Sequence, residues 1–246
     1  MNQIELNISE VTGRAWELTK KYGIYIALIY FVAIMLCNSI QSLGFPWQSY
    51  VEALVENNTK ALQAIAAEAG GFNFFQIIAA IVQLAISAGI MNTVLMHASG
   101  EATQFNINGF KMPVMNYVSY VGIQILTSLI ILIGGCLCII PGIFLAVRLQ
   151  FASLNVLHHP EEGISGAFER SWNMTKGNFW NLFLLGALSV LICIGGLMCC
   201  CIGVYFAYAM IFFMQAVAYF TLANNGTNNP EPMAEIHTDE YMRNER

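Results

Sequence analysis

The chain has 246 residues, 57% of them apolar or aromatic and only 10% charged. Soluble domains carry about 25% charged residues. This balance excludes an ordinary water-soluble enzyme, a disordered chain and a nucleic-acid binder, because the ten Lys and Arg are scattered and form no basic footprint. The net charge is −5, and much of it comes from the tail after Asn224.

A helix that crosses a bilayer needs about 20 mostly apolar residues. Six stretches meet or approach that length, at about 23–41, 73–97, 114–137, 140–158, 179–198 and 202–223. All fifteen acidic residues fall outside them, and Arg148 is the one basic residue inside. Charge is kept out because placing it at the bilayer centre costs several kcal/mol. The expected fold is therefore an all-α polytopic bundle of six transmembrane helices, a single integral domain over residues 1–224. Residues 225–246, which open NGTNNPEP and then turn acidic, are expected to be a disordered cytoplasmic tail.

Basic residues orient such a bundle, since Lys and Arg collect on the cytoplasmic side. Arg14, Lys20, Lys21, Lys111, Arg170, Lys176, Arg243 and Arg246 fall on one side of a six-span topology, and Lys60 alone falls on the other. Both termini are thus expected in the cytoplasm. No small residue pattern for cleavage follows the first apolar run, so that run is expected to stay as an anchor.

Taken in chain order, the elements repeat. Residues 8–20 read ISEVTGRAWELTK and residues 164–176 read ISGAFERSWNMTK, with Ile, Ser, Arg, Trp, Thr and Lys identical in both. Each precedes a span. Residues 133–146 read IGGCLCIIPGIFLA and residues 194–207 read IGGLMCCCIGVYFA, placing matched Gly pairs at two hairpin tips. These matches suggest three units, each an amphipathic helix plus a hairpin, at about 1–98, 99–158 and 159–224. The piece around 101–111 is the poorest amphipathic copy. The first unit alone carries a long outer loop, 42–72, in which 50–69 has helical composition and ends at Gly70 and Gly71, a stop signal. The Gly pairs are expected to permit sharp reversal. Gly142 with Ala146, and Gly203 with Ala207, place small residues one turn apart, the pattern that lets helices approach closely in lipid.

Several residues could carry chemistry. Trp16 and Trp172, flanked by Arg14, Lys20, Arg170 and Lys176, suit helices lying in the headgroup layer and contacting anionic phosphates; a short amphipathic connector is the plainer explanation. Arg148 lies about 10 Å beyond Pro141 at 1.5 Å per residue, with no acid in any span to pair with it. Polar stripes could receive it: Gln76, Gln83 and Ser87; Asn116, Tyr120, Gln124 and Thr127; Tyr208, Gln215 and Tyr219. Gln83, Gln124 and Arg148 at comparable depth would form a polar cavity for an anion, or else a set of interhelical hydrogen bonds worth about 0.6 kcal/mol each. Seven cysteines, Cys37, Cys136, Cys138, Cys193, Cys199, Cys200 and Cys201, read chiefly as packing, with a disulfide or a soft metal as alternatives. His158, His159, Glu161 and Glu162, with His97, could gather round a metal, but a helix start with Pro160 and acids explains them as well. No metal and no cofactor is expected.

The stretch IPGIFLAVRLQFASLNVL, then GISGAFERSWNMTKGNFWNLF, then a final hairpin, resembles a broad group of bacterial six-helix membrane proteins of uncharacterised function. That group includes the membrane domain fused to some glycerophosphoryl diester phosphodiesterases. The resemblance rests on Pro141, Gly142, Arg148, Ala167, Arg170, Ser171, Trp172, Lys176, Gly177, Asn178, Phe179 and Trp180. It covers the last two units well and the first loosely. It implies the fold and is nearly silent on activity, since this chain has no room for the phosphodiesterase's soluble barrel.

The leading expectation is a non-enzymatic protein of the bacterial inner membrane whose basic and Trp-bearing helices contact anionic lipid headgroups, in membrane organisation or lipid handling. The alternative is a small transporter or permease component with a polar cavity around Arg148. A headgroup-modifying enzyme comes last, because no buried acid and no nucleophile–base pair is visible. Membrane lipids are the expected partners, with a second copy or another membrane protein also open, and nucleic acid is not one.

Overall fold

The computed structural model describes residues 6–43, 45–69, 74–100, 104–198 and 202–224. Gly70, Gly71, Glu101, the cysteines at 199–201 and the tail 225–246 lie outside the described residues. Among the described residues every regular element is a helix. They are α1 (Ile8–Ser42), α2 (Trp47–Val55), α3 (Thr59–Ala69), α4 (Phe74–Ala98), α5 (Val114–Leu137), α6 (Ile139–Leu149), α7 (Ala152–His158), α8 (Gly163–Met174), α9 (Phe179–Met198) and α10 (Ile202–Ala223), with short 3₁₀ turns at Asn108–Phe110 and Pro160–Glu162.

Six helical segments are long and apolar enough to cross a membrane: Ile8–Ser42, Phe74–Ala98, Val114–Leu137, Ile139–His158, Phe179–Met198 and Gly203–Ala223. The polytopic all-α bundle expected from run length is therefore the fold. Two of the six differ from their expected form.

The first is α1. The sequence suggests a short amphipathic helix before a separate span at 23–41, but one helix of 35 residues runs through both. Its start is fixed by the Asn7 side chain, which accepts the Ser9 N–H at 3.1 Å. At 1.5 Å per residue α1 is about 52 Å long, well beyond the roughly 30 Å hydrocarbon layer. The matching segment in the last unit does break, between α8 and α9. One position explains the contrast. Gly177, at φ +85°, stands where the first copy has Lys21. A left-handed residue stops a helix, and Gly adopts that conformation without steric cost.

The second is the fourth span, which is two helices, α6 and α7, separated at Gln150 and Phe151. Among its described residues the middle unit likewise has no amphipathic α-helix before α5. Its place is taken by the 3₁₀ turn, where the Gly109 carbonyl accepts from Asn92 Nδ2 at 3.0 Å and Tyr117 Oη donates to the Phe110 carbonyl at 2.7 Å.

The hairpin glycines act differently from expectation. Gly134, Gly135, Gly195 and Gly196 lie inside α5 and α9, not at the reversals. Between α5 and α6 the turn is made by Cys138 alone, in an extended conformation at φ −166°. The glycines instead let the paired helices touch: a Cβ on Gly142 would lie 2.9 Å from the Gly135 backbone, and one on Gly196 would lie 2.9 Å from the Gly203 carbonyl oxygen.

The core sits at one end of the bundle. Here α1, α5 and α9 begin and α4, α7 and α10 finish. Val11, Ala15, Leu18, Tyr22 and Ile26 of α1 are buried against α4 and α10, and Phe213, Met214, Tyr219 and Phe220 of α10 are fully enclosed. Toward the hairpin tips the same helices are exposed, with Leu132, Leu137, Ile140, Val190 and Leu197 all at least 60% accessible. We call these the closed and the open end. Asn178, at the α8–α9 corner, closes the ring by accepting the Leu6 N–H at 2.9 Å.

Replacing Gly177 by Ala places a Cβ in the left-handed region, at a cost of about 1–2 kcal/mol. The mutant is expected to melt below wild type in detergent. Gly186→Ala, inside α9 with no atom within 4 Å of the added Cβ, is expected to be neutral or to gain up to about 1 kcal/mol.

Candidate functional site

The break in the fourth span is built by α8. A straight helix would pair the Arg148 carbonyl with the N–H four residues on. Ser171 of α8 instead donates its hydroxyl to that carbonyl at 2.8 Å. Ser171 is itself fully buried, beside Thr175, whose hydroxyl back-bonds to the Ser171 carbonyl at 3.0 Å. Past the break, the Phe151 carbonyl opens α7 by accepting the Asn155 N–H at 2.9 Å, and Asn155 Nδ2 adds a second bond to it at 3.0 Å.

The Arg148 side chain lies on top of this junction. Its guanidinium carbon is 5.2 Å from the centre of the Phe144 ring and 5.3 Å from that of Trp172. The two rings meet edge to face, 5.9 Å apart, so the cation is held between π faces, an arrangement that stabilises charge where water is scarce. One N–H contacts Thr175 Oγ1 at 3.4 Å, and Nε is buried without a partner. A guanidinium has five N–H donors. Most of those here are unspent.

Its level in the bundle is set by its neighbours. The Phe144 ring packs at a tilt against that of Phe179, the first residue of α9, with centres 5.4 Å apart. Arg148 therefore stands at the foot of α9, at the closed end. The mid-membrane depth inferred from counting residues assumed an unbroken span, and the break removes that assumption: α7 belongs to the enclosed closed-end core, with Leu154, Asn155 and Val156 all 0% exposed.

Gln83 and Gln124 do not join Arg148. Gln124 donates to Tyr120 Oη at 3.2 Å, which in turn lies 3.5 Å from Ser87 Oγ. Gln83 faces a cleft between α1 and α4. The three-residue polar cavity suggested by the sequence is thus divided among three places.

The two matched segments bury matched positions. Val11, Ala15 and Thr19 correspond to Ala167, Ser171 and Thr175, and all six are buried. Thr19 back-bonds to the Ala15 carbonyl at 2.7 Å, as Thr175 does to Ser171. Trp16 and Trp172 are partly exposed, at 43% and 37%. Around them Arg14 pairs with Glu10 at 2.9 Å, Lys20 with Glu17 at 2.6 Å, Arg170 with Glu162 at 2.8 Å, and Lys176 bonds Asn173 Oδ1 at 2.7 Å. The segments differ in what they face. Thr175 touches an arginine. Ala209, which the hairpin match places opposite Arg148, is a buried alanine on α10.

Sequence reasoning missed Phe144, Ser171 and Thr175 as members of the Arg148 site. Ser171 and Thr175 were visible as an i, i+4 pair of polar residues on the buried face of α8. Two further buried polar atoms near the break, Gln150 Nε2 and Asn155 Oδ1, also lack partners.

The histidines separate. His97 packs between Tyr22 and Phe105 and bonds the Thr93 carbonyl at 2.7 Å. His158 lies 3.0 Å from Tyr219 Oη. Among the described residues only His159, Glu161 and Glu162 bring their ligand atoms within 4.8 Å of one another. There the Glu161 backbone N–H, then His159 and Arg170, hold the exposed Glu161 carboxyl below its ordinary range against a small desolvation effect. An ion pair network at a helix start accounts for this group. Of the thiols, Cys37 is buried, Cys193 half-buried, and Cys136 and Cys138 exposed, all four free.

Six apolar helices, with polar and aromatic groups gathered at one end, define a multi-pass membrane protein. No protein-family model matches this chain, and neither a curated protein nor a solved structure matches it.

Ser171→Ala removes the donor to the Arg148 carbonyl. Loss of a buried hydrogen bond costs about 1–3 kcal/mol. The mutant is expected to unfold earlier in detergent, with hydrogen exchange accelerated at 150–155 before the rest of the bundle.

Proposed function

We propose that this chain is a non-enzymatic multi-pass protein of the bacterial inner membrane that engages anionic lipid headgroups at its closed end, in membrane organisation or lipid handling. The observation that carries this reading is the Arg148 guanidinium, held between Phe144 and Trp172 with one weak hydrogen bond and an unpartnered Nε. A lipid phosphate offers the acceptor oxygens that the protein does not. Charge-assisted bonds of this kind are among the stronger polar contacts, and the two rings present an apolar flank to the adjoining acyl chain. Lys176 and Arg170 lie on the same helix as Trp172 and add positive potential.

The same end carries Arg14, Lys20, Lys21 and Lys111, whereas Lys60 lies on α3 toward the open end. That asymmetry supports a cytoplasmic closed end, with both termini on that side. Trp beside basic residues, at Trp172 on α8 and at Trp16 near the start of α1, supports the same side. Kinship with the six-helix group that includes the phosphodiesterase membrane domain is part of this proposal for the fold, and it supplies no activity. The permease alternative loses its main support, since Gln83 and Gln124 lie apart from Arg148.

Arg148→Gln keeps much of the side-chain bulk and removes the charge. In nanodiscs containing phosphatidylglycerol, retention of that lipid is expected to fall about tenfold, equivalent to about 1.4 kcal/mol, with phosphatidylcholine unchanged. Changing Arg14, Arg170, Trp16 and Trp172 together is expected to weaken it further, and raising ionic strength to weaken both proteins. Equal retention in wild type and Arg148→Gln would end the reading.

Orientation has its own test. A single cysteine added after Arg246, in a chain otherwise free of cysteine, is expected to resist a membrane-impermeant maleimide on intact cells and to react once the cells are opened. A cysteine at Lys60 is expected to react in both.

A further inference from the structure

Away from the closed end, α1 and α4 part to leave a cleft of about 260 Å³, lined by Ile34, Cys37, Asn38, Gln41, Gln76 and Gln83 over an alanine floor. Its location is the open half of the bundle. Asn38 and Gln41 lie in the last turns of α1, and Gln83 lies nine residues into α4, about 14 Å along its axis. Four of the lining side chains are amides, and Asn38, Gln41 and Gln83 have no hydrogen-bond partner among the described residues. In a segment that faces hydrocarbon, an amide without a partner is unfavourable, so the cleft is built to be filled by something that forms hydrogen bonds.

The filling group must be uncharged. Among the described residues that line the cleft there is no Lys, Arg, His, Asp or Glu, so an ion there would find no compensating charge. Amides pair a donor with an acceptor on each side chain, which suits hydroxyl groups that do both. The apolar floor of Ile34, Ala79 and Ala80 suits the C–H face of the same group. The volume is about nine times the ~30 Å³ that one water occupies in the liquid, ample for a glyceryl or small sugar unit. Leu36, Ile77 and Ile81, each next in sequence to a lining residue, are exposed and apolar, so the mouth of the cleft opens among side chains that face acyl chains.

We infer that the cleft between α1 and α4 binds the hydroxyl-bearing glyceryl headgroup of an uncharged lipid, through Asn38, Gln41 and Gln83. This site is separate from Arg148 in place and in charge preference, and it stands whether or not Arg148 holds an anionic lipid.

The experiment uses the full chain in phosphatidylcholine nanodiscs doped with dioleoylglycerol, with retained lipid counted by native mass spectrometry. Gln83→Leu and Asn38→Leu add apolar surface where lipid tolerates it. Each is expected to lower dioleoylglycerol retention about tenfold without altering phosphatidylglycerol retention. Free glycerol is included as a competitor. If it fails to displace the lipid, the headgroup is recognised as part of a lipid. If it displaces the lipid in wild type and not in the variants, the site takes the free polyol as well, and the amide cleft stands in either case. A second measurement follows Cys37, which lines the cleft, in a chain whose other cysteines are replaced: its alkylation is expected to slow when dioleoylglycerol is present. Retention unchanged by both variants, or Cys37 alkylation indifferent to the lipid, overturns the inference.

Discussion

Lipid tails are as apolar as leucine, so burying leucine between helices gains little within a bilayer. This protein encloses its large side chains at one end of its helices instead of along their whole length. The closed end holds the fully enclosed side chains, Phe151, Phe213, Tyr219 and Phe220 among them. The open end holds helix pairs by glycine contact instead, at Gly135 with Gly142 and Gly196 with Gly203. The functional surfaces follow from the same division. Where α8 folds back over the closed end, it meets the fourth span, takes one of its carbonyls and creates a place for an arginine. Where α1 and α4 part at the open end, a neutral amide-lined space is left.

Polar satisfaction decides the details. Breaking a helix at the edge of the membrane exposes backbone groups that lipid will not accept. Ser171 gives the Arg148 carbonyl a partner from α8, and the Phe151 carbonyl is met within α7 by the backbone N–H and Nδ2 of Asn155. Gln150 Nε2 and Asn155 Oδ1 stand outside that economy, and so does Arg148. Its backbone carbonyl is satisfied and its side chain is not. The same segment in the first unit, with Ala15 where the last has Ser171, packs on α10, which runs unbroken from Ile202 to Ala223.

Much of this was legible in the sequence. Run length and the exclusion of charge identify all six apolar segments, because those two signals report the solvent directly. The matched Ile-Ser, Arg, Trp and Thr-Lys residues identify two elements that bury the same face. Three things were not legible. The break after Arg148 leaves no Pro or Gly at the broken position; it depends on a serine 23 residues later. The continuity of α1 depends on one residue, Lys21 in place of Gly177. The separation of Gln83, Gln124 and Arg148 is a matter of which helices are neighbours, and helical stripes fix a face without naming what lies opposite. Gly142 and Gly203 were read as close-packing positions, and each meets a glycine of the paired helix; the Gly pairs were read as reversals, but helical backbone continues through them to Leu137 in α5 and to Met198 in α9.

The unbroken course of α1 has a mechanical consequence. With no glycine hinge where its counterpart has one, it is a stiff rod of about 52 Å, gripped at its base by α4 and α10 and bearing Asn38 and Gln41 near its far tip. A tilt of about 5° about the base would swing that tip by roughly 4–5 Å over such a length. Any partner that nudges the Arg14 and Trp16 region would thereby widen or narrow the space on the opposite side of the bilayer, with the rod as lever and the enclosed aromatic layer as its fulcrum.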